Sequence, residues 1–308
     1  MVNIVFMGSP EFAIPSLENV AAHYHVAGVV TQPDKPAGRG QQLASPPVMV
    51  KAQEFGIPVI QPPKMNSEEA FAQLTAWAPD VIVVAAFGKI LRQNVLDLPK
   101  YGCVNVHASL LPRWRGASPI QASILHGDEQ SGVSIMRMEA GLDTGPVLAM
   151  RALDILPEDT GESLTMRLAE LGANLLVEVL PAYLAGEIEP KAQADTLATY
   201  ASMIKKEEGE LDFSLTAEAC ERKVRAFNPW PGAYLDWEGG RLKVHQAHVI
   251  PSLGLRPGQR SKIAKMPAVA TSDGWLVLDE VQPTGKKPMP GKVFLNGARQ
   301  WVMDDGEE

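Results

Sequence analysis

Two short segments of the chain carry polar residues whose types and spacing suit the transfer of an acyl group. Residues 105–120 read NVHASLLPRWRGASPI, and residues 141–148 read GLDTGPVL. Asn105 and His107 alternate at the end of an apolar run, so a strand would direct both side chains to one face. Asp143 lies in a glycine-flanked loop that could bring its carboxylate to the same edge. We therefore expect an amide, an imidazole and a carboxylate to converge.

These three groups match the changes in charge and protonation when an amine attacks a carbonyl carbon. The carbonyl oxygen becomes an oxyanion, which an amide N–H and a protonated imidazole can stabilise by hydrogen bonds. The attacking nitrogen loses a proton and the leaving nitrogen gains one, and an imidazole beside a carboxylate can relay that proton. Taken alone, Asn105 and His107 could instead cap backbone groups at the end of a strand.

The elements that must position these residues follow an α/β pattern in the first half of the chain. Near-continuous runs of Val and Ile are typical of parallel strands that are covered on both faces. Such runs occur at residues 2–7, 26–31, 81–86 and 103–107. A helix is predicted from about Pro10, with Ser9 as its cap. The pattern predicts a Rossmann-like α/β domain with its ligand site at the carboxyl ends of the strands.

The rest of the chain predicts a second, smaller domain. Leucines at helical spacing predict a long helix over residues 160–185, after which the polar residues 189–208 read as a linker. A helix over residues 216–226 and short apolar runs separated by turns then favour a small, OB-like β-barrel. Those runs are residues 241–250, 268–271, 275–281 and 291–294. We predict a catalytic domain at 1–188, a linker at 189–208 and a barrel domain at 209–308.

Composition excludes several other classes of protein. No run approaches the roughly 18 apolar residues of a membrane span, and the N-terminus lacks the features of a secretory signal, so we expect a cytoplasmic protein. Cys103 and Cys220 have no metal-ligand spacing and are expected to be buried, and we expect no metal site. The G-x-G-x-x-G fingerprint of a dehydrogenase is missing after the first strand.

The charge of the chain is unevenly distributed. The net charge of −8 argues by itself against a polyanionic partner. Residues 239–299, however, contain ten Lys or Arg and three acids, a formal excess of seven positive charges. A basic surface in the C-terminal third suits a nucleic-acid partner, although a run of charge is often only a solvated face.

The segments NVHASLLPRWRG and GLDTG closely resemble the signature of folate-dependent formyltransferases. This family includes glycinamide ribonucleotide, sugar-amine and methionyl-tRNA formyltransferases. The resemblance implies that Asn105, His107 and Asp143 are the catalytic triad and that 10-formyltetrahydrofolate is the cosubstrate. The folate-binding loop would be Ser109, Leu110, Leu111 and Pro112. The pterin ring would lie near residues 87–91 and 139–143.

Further segments resemble the methionyl-tRNA branch of that family, which implies that the acceptor is the amino group of initiator methionyl-tRNA. They include MGSPEF at the start, TQPDKPAGRG in the long loop at residues 32–47, and ATYASMIKKEEGELDF in the linker. The resemblance places Arg39 at the acceptor end of the tRNA, and Lys205 and Lys206 against its phosphates. Arg113 and Arg115 would meet either the glutamate tail of the folate or the acceptor's phosphates. We expect a monomer.

Two other interpretations share these features. A sugar-nucleotide amine formyltransferase would use the same folate and triad, but with a shorter loop in place of residues 35–40. A noncatalytic RNA-binding protein on the same scaffold would keep the basic barrel and lose the triad, and here all three triad positions are present.

Overall fold

A computed structural model describes residues 2–37 and 42–302 of the chain. The strands, in chain order, are β1 (Asn3–Gly8), β2 (His25–Val30), β3 (Lys35–Ala37), β4 (Gln42–Ala44), β5 (Val59–Ile60), β6 (Val81–Ala85), β7 (Cys103–His107), β8 (Arg115–Gly116), β9 (Gln130–Arg137), β10 (Val147–Asp154), β11 (Tyr200–Ala201), β12 (Ala233–Trp237), β13 (Gly240–Pro251), β14 (Arg260–Ile263), β15 (Met266–Ala270), β16 (Gly274–Pro283) and β17 (Met289–Pro290). The α-helices are α1 (Ile14–His23), α2 (Pro47–Glu54), α3 (Glu68–Ala76), α4 (Gln93–Leu96), α5 (Pro119–Leu125), α6 (Gly161–Leu184), α7 (Ala217–Ala226) and α8 (Gly291–Gly297).

Backbone contacts divide the described residues into two units. The first contains residues 2–119, 130–154 and 165–202, and the second contains residues 120–129, 155–164 and 203–302. The division into residues 1–188, 189–208 and 209–308 remains a prediction.

The first unit is built on a seven-stranded sheet in the order β10-β9-β7-β6-β1-β2-β5. The five strands from β7 to β5 are parallel, whereas β9 and β10 are antiparallel to their neighbours. The predicted α/β class is therefore confirmed. The antiparallel pair was not predicted, and it extends the sheet beyond the strand that carries Asn105 and His107.

The first helix begins later than the sequence predicts. A short 3-10 turn at Glu11–Ala13 precedes α1, which starts at Ile14. Ser9 does not cap either element, because its hydroxyl accepts a hydrogen bond from the backbone N–H of Gln32 at 3.0 Å. A contact between two parallel strand ends thus takes the place of the predicted cap.

The predicted long helix is confirmed as α6, within one residue at each end. Of its five predicted core leucines, those at 164, 168, 175 and 176 are buried, whereas Leu171 is half-buried. Strands β6 and β7 are buried at every position, as expected for strands that are covered on both faces.

The second unit contains a six-stranded antiparallel sheet in the order β12-β13-β16-β15-β14, with β17 paired to β16. The helix predicted over residues 216–226 is confirmed as α7, and Thr216 caps it by accepting a hydrogen bond from the N–H of Ala219. Among the described residues, no ladder joins β12 to β14. Closure into an OB-like barrel remains a prediction.

One apolar run in this unit was assigned to the wrong class of element. Residues 291–294 were predicted as a strand, but they begin α8. Phe294 packs there against Trp237 and Trp301, with ring centroids 5.0 and 5.4 Å away. Periodicity cannot separate a strand from a buried helix in so short a run, and these aromatic contacts decide for the helix.

The long loop at residues 32–47 is more regular than expected. Its described part contains the short antiparallel pair β3 and β4, with Lys35 opposite Ala44. Arg39, the predicted acceptor-binding residue, lies outside the described residues.

Candidate active site

The site begins at the carboxyl end of β7. Val84 of β6 lies opposite Asn105, and Ser134 of β9 lies opposite His107, so the strand is held in register on both sides. Asn105 and His107 share one face, as the spacing of two predicts. They are 8% and 6% exposed. Among the described residues, no protein group forms a hydrogen bond with the side-chain amide of Asn105, which leaves that amide for a ligand.

The two ring nitrogens of His107 have different surroundings. Nε2 lies 3.1 Å from the backbone carbonyl oxygen of Trp114. Because a carbonyl oxygen can only accept, this contact requires Nε2 to carry a hydrogen. Nδ1 lies 3.7 Å from the Oδ2 atom of Asp143. Nδ1 is therefore the nitrogen left to exchange a proton with the carboxylate or a substrate.

Asp143 reaches His107 from the loop between β9 and β10. Its Oδ2 atom accepts a hydrogen bond from the backbone N–H of Gly116 at 2.8 Å. Gly116 has a φ of +120°, and a Cβ atom there would lie 2.4 Å from the carbonyl oxygen of Ala201. Only glycine can hold this position and donate to the carboxylate without displacing β11.

Three non-glycine residues with positive φ lie in the loops that surround this strand end. The φ angles of Ala86, Trp114 and Asp143 are 45°, 59° and 51°. Each is sterically disfavoured for a residue with a side chain, and such positions concentrate at binding and catalytic sites. Ala86 follows β6, Trp114 accepts from His107, and Asp143 carries the carboxylate.

The predicted folate-binding loop follows His107 directly and has an internal framework. The Ser134 hydroxyl donates to the carbonyl oxygen of Ser109 at 2.7 Å and accepts from the N–H of Leu111 at 3.0 Å. Ser109 and Leu111 are buried, whereas Leu110 and Pro112 are half-buried. The loop thus presents Leu110 and Pro112, while the side chains of Ser109 and Leu111 shape it from within.

The loops predicted near the pterin ring expose apolar side chains. Phe87 and Leu91 are buried, but Ile90 between them is 91% exposed. In the second loop, Leu142 is 57% exposed next to Asp143.

Arg115 does not have the role that the sequence suggests. Its side chain is 2% exposed. Its guanidinium donates from Nε to Gln193 at 3.0 Å and from Nη2 to Asp195 at 2.7 Å. A phosphate or a glutamate tail therefore does not meet this arginine. Arg113, by contrast, is exposed, and its guanidinium stacks over the Trp114 ring at 4.4 Å.

Gln193 and Thr199 were missed because they lie in the polar segment that was read as a linker. Gln193 donates to the loop of Asp143, and the Thr199 hydroxyl accepts from the N–H of Trp114 at 2.9 Å. No local signal marks either residue, since Gln193 lies 50 residues from its partner. Their contacts appear only when the chain is folded.

The predicted phosphate-binding lysines belong to the second unit. Lys205 and Lys206 are exposed at the start of a 3-10 turn, and the described residues contain no acid that pairs with either ammonium group. Two cations of the basic stretch at residues 239–299 are paired, since Arg241 binds Asp236 and Arg260 binds Glu238. Asp236 and Glu238 precede the basic stretch and partly neutralise it.

None of the helices in residues 2–37 and 42–302 has the length and apolar character needed to span a bilayer. Within the same ranges, no three His, Cys, Asp or Glu side chains come together as a metal ion would require.

Two family models together match most of the chain, and both are of formyl transferases. Residues 2–180 match the formyl transferase family model, and residues 203–299 match the model of the formyl transferase C-terminal domain. The chain is 49% identical over 297 residues to the methionyl-tRNA formyltransferase of Myxococcus xanthus (strain DK1622), covering 96% of this chain and 94% of that protein. It is 44% identical over 300 residues to the methionyl-tRNA formyltransferase of Geobacter sulfurreducens (strain ATCC 51573 / DSM 12127 / PCA), covering 97% of this chain and 94% of that protein. The chain belongs to the formyl transferase family and, within it, to the methionyl-tRNA formyltransferases.

Solved structures agree at the level of the fold. The sugar 3N-formyl transferase WlaRD, solved in the presence of dTDP and 5-N-formyl-THF, aligns with a TM-score of 0.68 and 17% identity. The alignment covers 93% of this chain and 99% of WlaRD.

Proposed function

We propose that this enzyme transfers the formyl group of 10-formyltetrahydrofolate to the amino group of initiator methionyl-tRNA, by direct attack of the amine. The observation that carries the mechanism is the convergence of Asn105, His107 and Asp143 at the end of β7, with Nδ1 of His107 3.7 Å from Asp143. The identity with methionyl-tRNA formyltransferases over nearly the whole chain supports the choice of acceptor.

Asn105 and His107 stabilise the oxyanion in this proposal. The Asn105 amide has no protein partner among the described residues and donates an N–H to the formyl oxygen as charge develops on it. A donor of this type lowers the activation barrier by about 2.7–4 kcal/mol. Protonated His107 supplies the second donor from Nδ1, because Nε2 is committed to the Trp114 carbonyl.

Asp143 manages the proton. Its Oδ2 atom lies 3.7 Å from Nδ1 of His107, so the carboxylate and the imidazole act side by side. The attacking amine loses a proton to the Asp143 carboxylate, which returns it to the leaving nitrogen of the folate. The N–H of Gly116 keeps the carboxylate in place while the charge moves.

The loops around the site support a reduced folate as cosubstrate. A pterin presents a flat apolar face and polar edges. Exposed Ile90 and Leu142 supply apolar surface in the two loops predicted to hold the pterin. Leu110 and Pro112 are half-buried in the predicted folate-binding loop that follows His107. WlaRD, which shares the fold, was solved with a formylated folate.

We further propose that Arg39, Lys205 and Lys206 contact the tRNA, that the second unit is an OB-like platform for it, and that the enzyme acts as a monomer in the cytoplasm. Lys205 and Lys206 are exposed, and within residues 2–37 and 42–302 no acid pairs with either ammonium group, which supports a phosphate contact. An antiparallel sheet with a basic stretch is typical of oligonucleotide-binding barrels.

The test is a formyl-transfer assay with 10-formyltetrahydrofolate and charged initiator tRNA. We expect Asn105→Ala and Asp143→Ala to lose turnover, because each removes a group that acts in the transition state. Arg39→Ala should mainly raise the KM for tRNA. Normal turnover by Asp143→Ala would overturn the mechanism.

The same assay separates the alternative acceptor. A sugar-nucleotide amine is offered to the native enzyme in place of charged tRNA. We expect no transfer above background. Efficient transfer to the sugar amine, with none to tRNA, would replace the proposed acceptor and leave the roles of the triad unchanged.

A further inference from the structure

The segment at residues 191–201 is fixed to the first unit at both ends. Near its start, Lys191 exchanges two backbone hydrogen bonds of 2.8 Å with Val147, the first residue of β10. Near its end, β11 pairs with β8, and the N–H of Arg115 donates to the carbonyl oxygen of Thr199 at 2.9 Å. Gln193 lies between these two anchors and is half-buried in a largely exposed stretch.

The carboxamide of Gln193 is bonded on both sides. Its Nε2 group donates to the backbone carbonyl oxygens of Asp143 at 2.8 Å and Gly145 at 2.7 Å. Its Oε1 atom accepts from Nε of Arg115 at 3.0 Å. A primary amide has two N–H donors and one carbonyl acceptor, and here each has a partner. The buried guanidinium of Arg115 orients the amide, and the amide closes the turn at residues 143–145.

Asp143 depends on such support. Its φ of 51° is disfavoured for a residue with a side chain, and residues 139–142 just before it are exposed to solvent. Among the described residues, its carboxylate has one short contact, from the N–H of Gly116, and the imidazole of His107 is further away, at 3.7 Å. A small shift of this backbone would therefore move the carboxylate away from His107.

We propose that Gln193 is a positioning residue, which holds the Asp143 carboxylate at Nδ1 of His107 by clamping the backbone of its loop. The inference rests on the proposed function, in which the Asp143 carboxylate takes part in proton transfer. Glutamate at position 193 would have almost the same shape and could still accept from Arg115. It would, however, place a carboxylate oxygen against two carbonyl oxygens where an N–H₂ group now donates, so the loop would be released.

The test compares Gln193→Glu with Gln130→Glu, which makes the same chemical change at an exposed glutamine whose amide binds Asp154. For Gln193→Glu we expect kcat to fall by about 10- to 100-fold, the order of loss caused by an ångström of misplacement. The KM for tRNA and for 10-formyltetrahydrofolate should each stay within about threefold of native, because the carboxamide of Gln193 is already bonded to Arg115, Asp143 and Gly145. Gln130→Glu should turn over like native enzyme.

Hydrogen exchange gives a readout that does not use activity. The N–H of Gly116 donates to the Asp143 carboxylate, so its exchange reports where that carboxylate lies. We expect the amide of Gly116 and peptides over residues 138–146 to exchange faster in Gln193→Glu, while the midpoint of urea unfolding shifts no more than in Gln130→Glu.

The outcomes separate this proposal from the proposed function. If native enzyme formylates tRNA and Asp143→Ala does not, but Gln193→Glu keeps native kcat and native exchange at Gly116, the clamp is wrong. The clamp would also be overturned if Gln193→Glu raised both KM values and lowered the midpoint of urea unfolding to a similar degree, since that pattern indicates general damage to the fold. If native enzyme fails to formylate tRNA, the proposed function fails, and exchange at Gly116 still tests the clamp.

Discussion

Cys103 shows how the catalytic strand is built at the level of one residue. It lies in β7 two positions before Asn105 and is fully buried. Burial, together with the smaller effect of the nearby Asp97 carboxylate, raises the pKa of its thiol to about 12. Cys220 is buried in the second unit, where burial raises the pKa of its thiol to about 11. The expected structural role of both cysteines is confirmed, since each remains a protonated, apolar group at neutral pH.

This burial predicts a loss of stability in alkali. An unfolded thiol titrates near pH 8.5, so the stabilisation from a protonated Cys103 is complete below that pH and is lost as pH rises toward 12. By pH 10 the loss is about 2 kcal/mol. Urea unfolding of native protein and of Cys103→Ala, in reducing buffer at pH 7.5 and pH 10, measures it. We expect the decrease in unfolding free energy to be smaller in the variant; equal decreases would contradict the prediction.

At the scale of elements, helix α6 sets the position of β7. Gly172 of α6 lies over the sheet, and a Cβ atom there would come within 2.6 Å of Cγ1 of Val106 and 3.2 Å of Cγ1 of Val133. Val106 stands between Asn105 and His107 in the strand and points to the opposite face. The missing side chain at position 172 therefore lets the helix approach the strand that carries the site.

Gly172→Ala is expected to destabilise the enzyme, although alanine is the better helix former by about 1 kcal/mol in an exposed helix. The added methyl group overpacks the contact with Val106, at a cost of about 1–3 kcal/mol. Urea unfolding measures the effect, and Val106→Ala in the same chain should relieve it. The double variant should be more stable than the sum of the two single losses predicts. A stabilised Gly172→Ala would show that the helix does not press on the strand.

Elements with a strong local pattern could be predicted from the sequence, and contacts between distant segments could not. Helix α6 and the shared face of Asn105 and His107 follow from periodicity alone. The start of α8, residues 291–294, was read as a strand because the run is short and one of its aromatic partners, Trp237, is remote in sequence. Gln193 was read as part of a linker because its partners, Asp143 and Gly145, are only neighbours in the fold.

At the scale of the whole molecule, charge is divided between the two units. The chain has a net charge of −8, yet residues 239–299 hold an excess of seven positive charges. Arg241 and Arg260 are paired with Asp236 and Glu238, so part of that excess is already neutralised. Lys205 and Lys206 are exposed without such partners among the described residues. A polyanion would therefore gain more from these two lysines than from paired arginines.

Removal of these two lysines should change how salt affects the use of tRNA. Each phosphate contact contributes about 0.7–0.9 to the slope of log affinity against log salt concentration, because counterions are released on binding. We expect Lys205→Ala/Lys206→Ala to raise the KM for tRNA and to lower this slope by roughly 1.4–1.8 between 50 and 200 mM KCl. The KM for 10-formyltetrahydrofolate should not change.

Lys64→Ala/Lys100→Ala removes two exposed lysines of the first unit as a charge-matched control. The same slope in both double variants would show that only net charge matters, and an unchanged slope in the first would remove Lys205 and Lys206 from the tRNA interface.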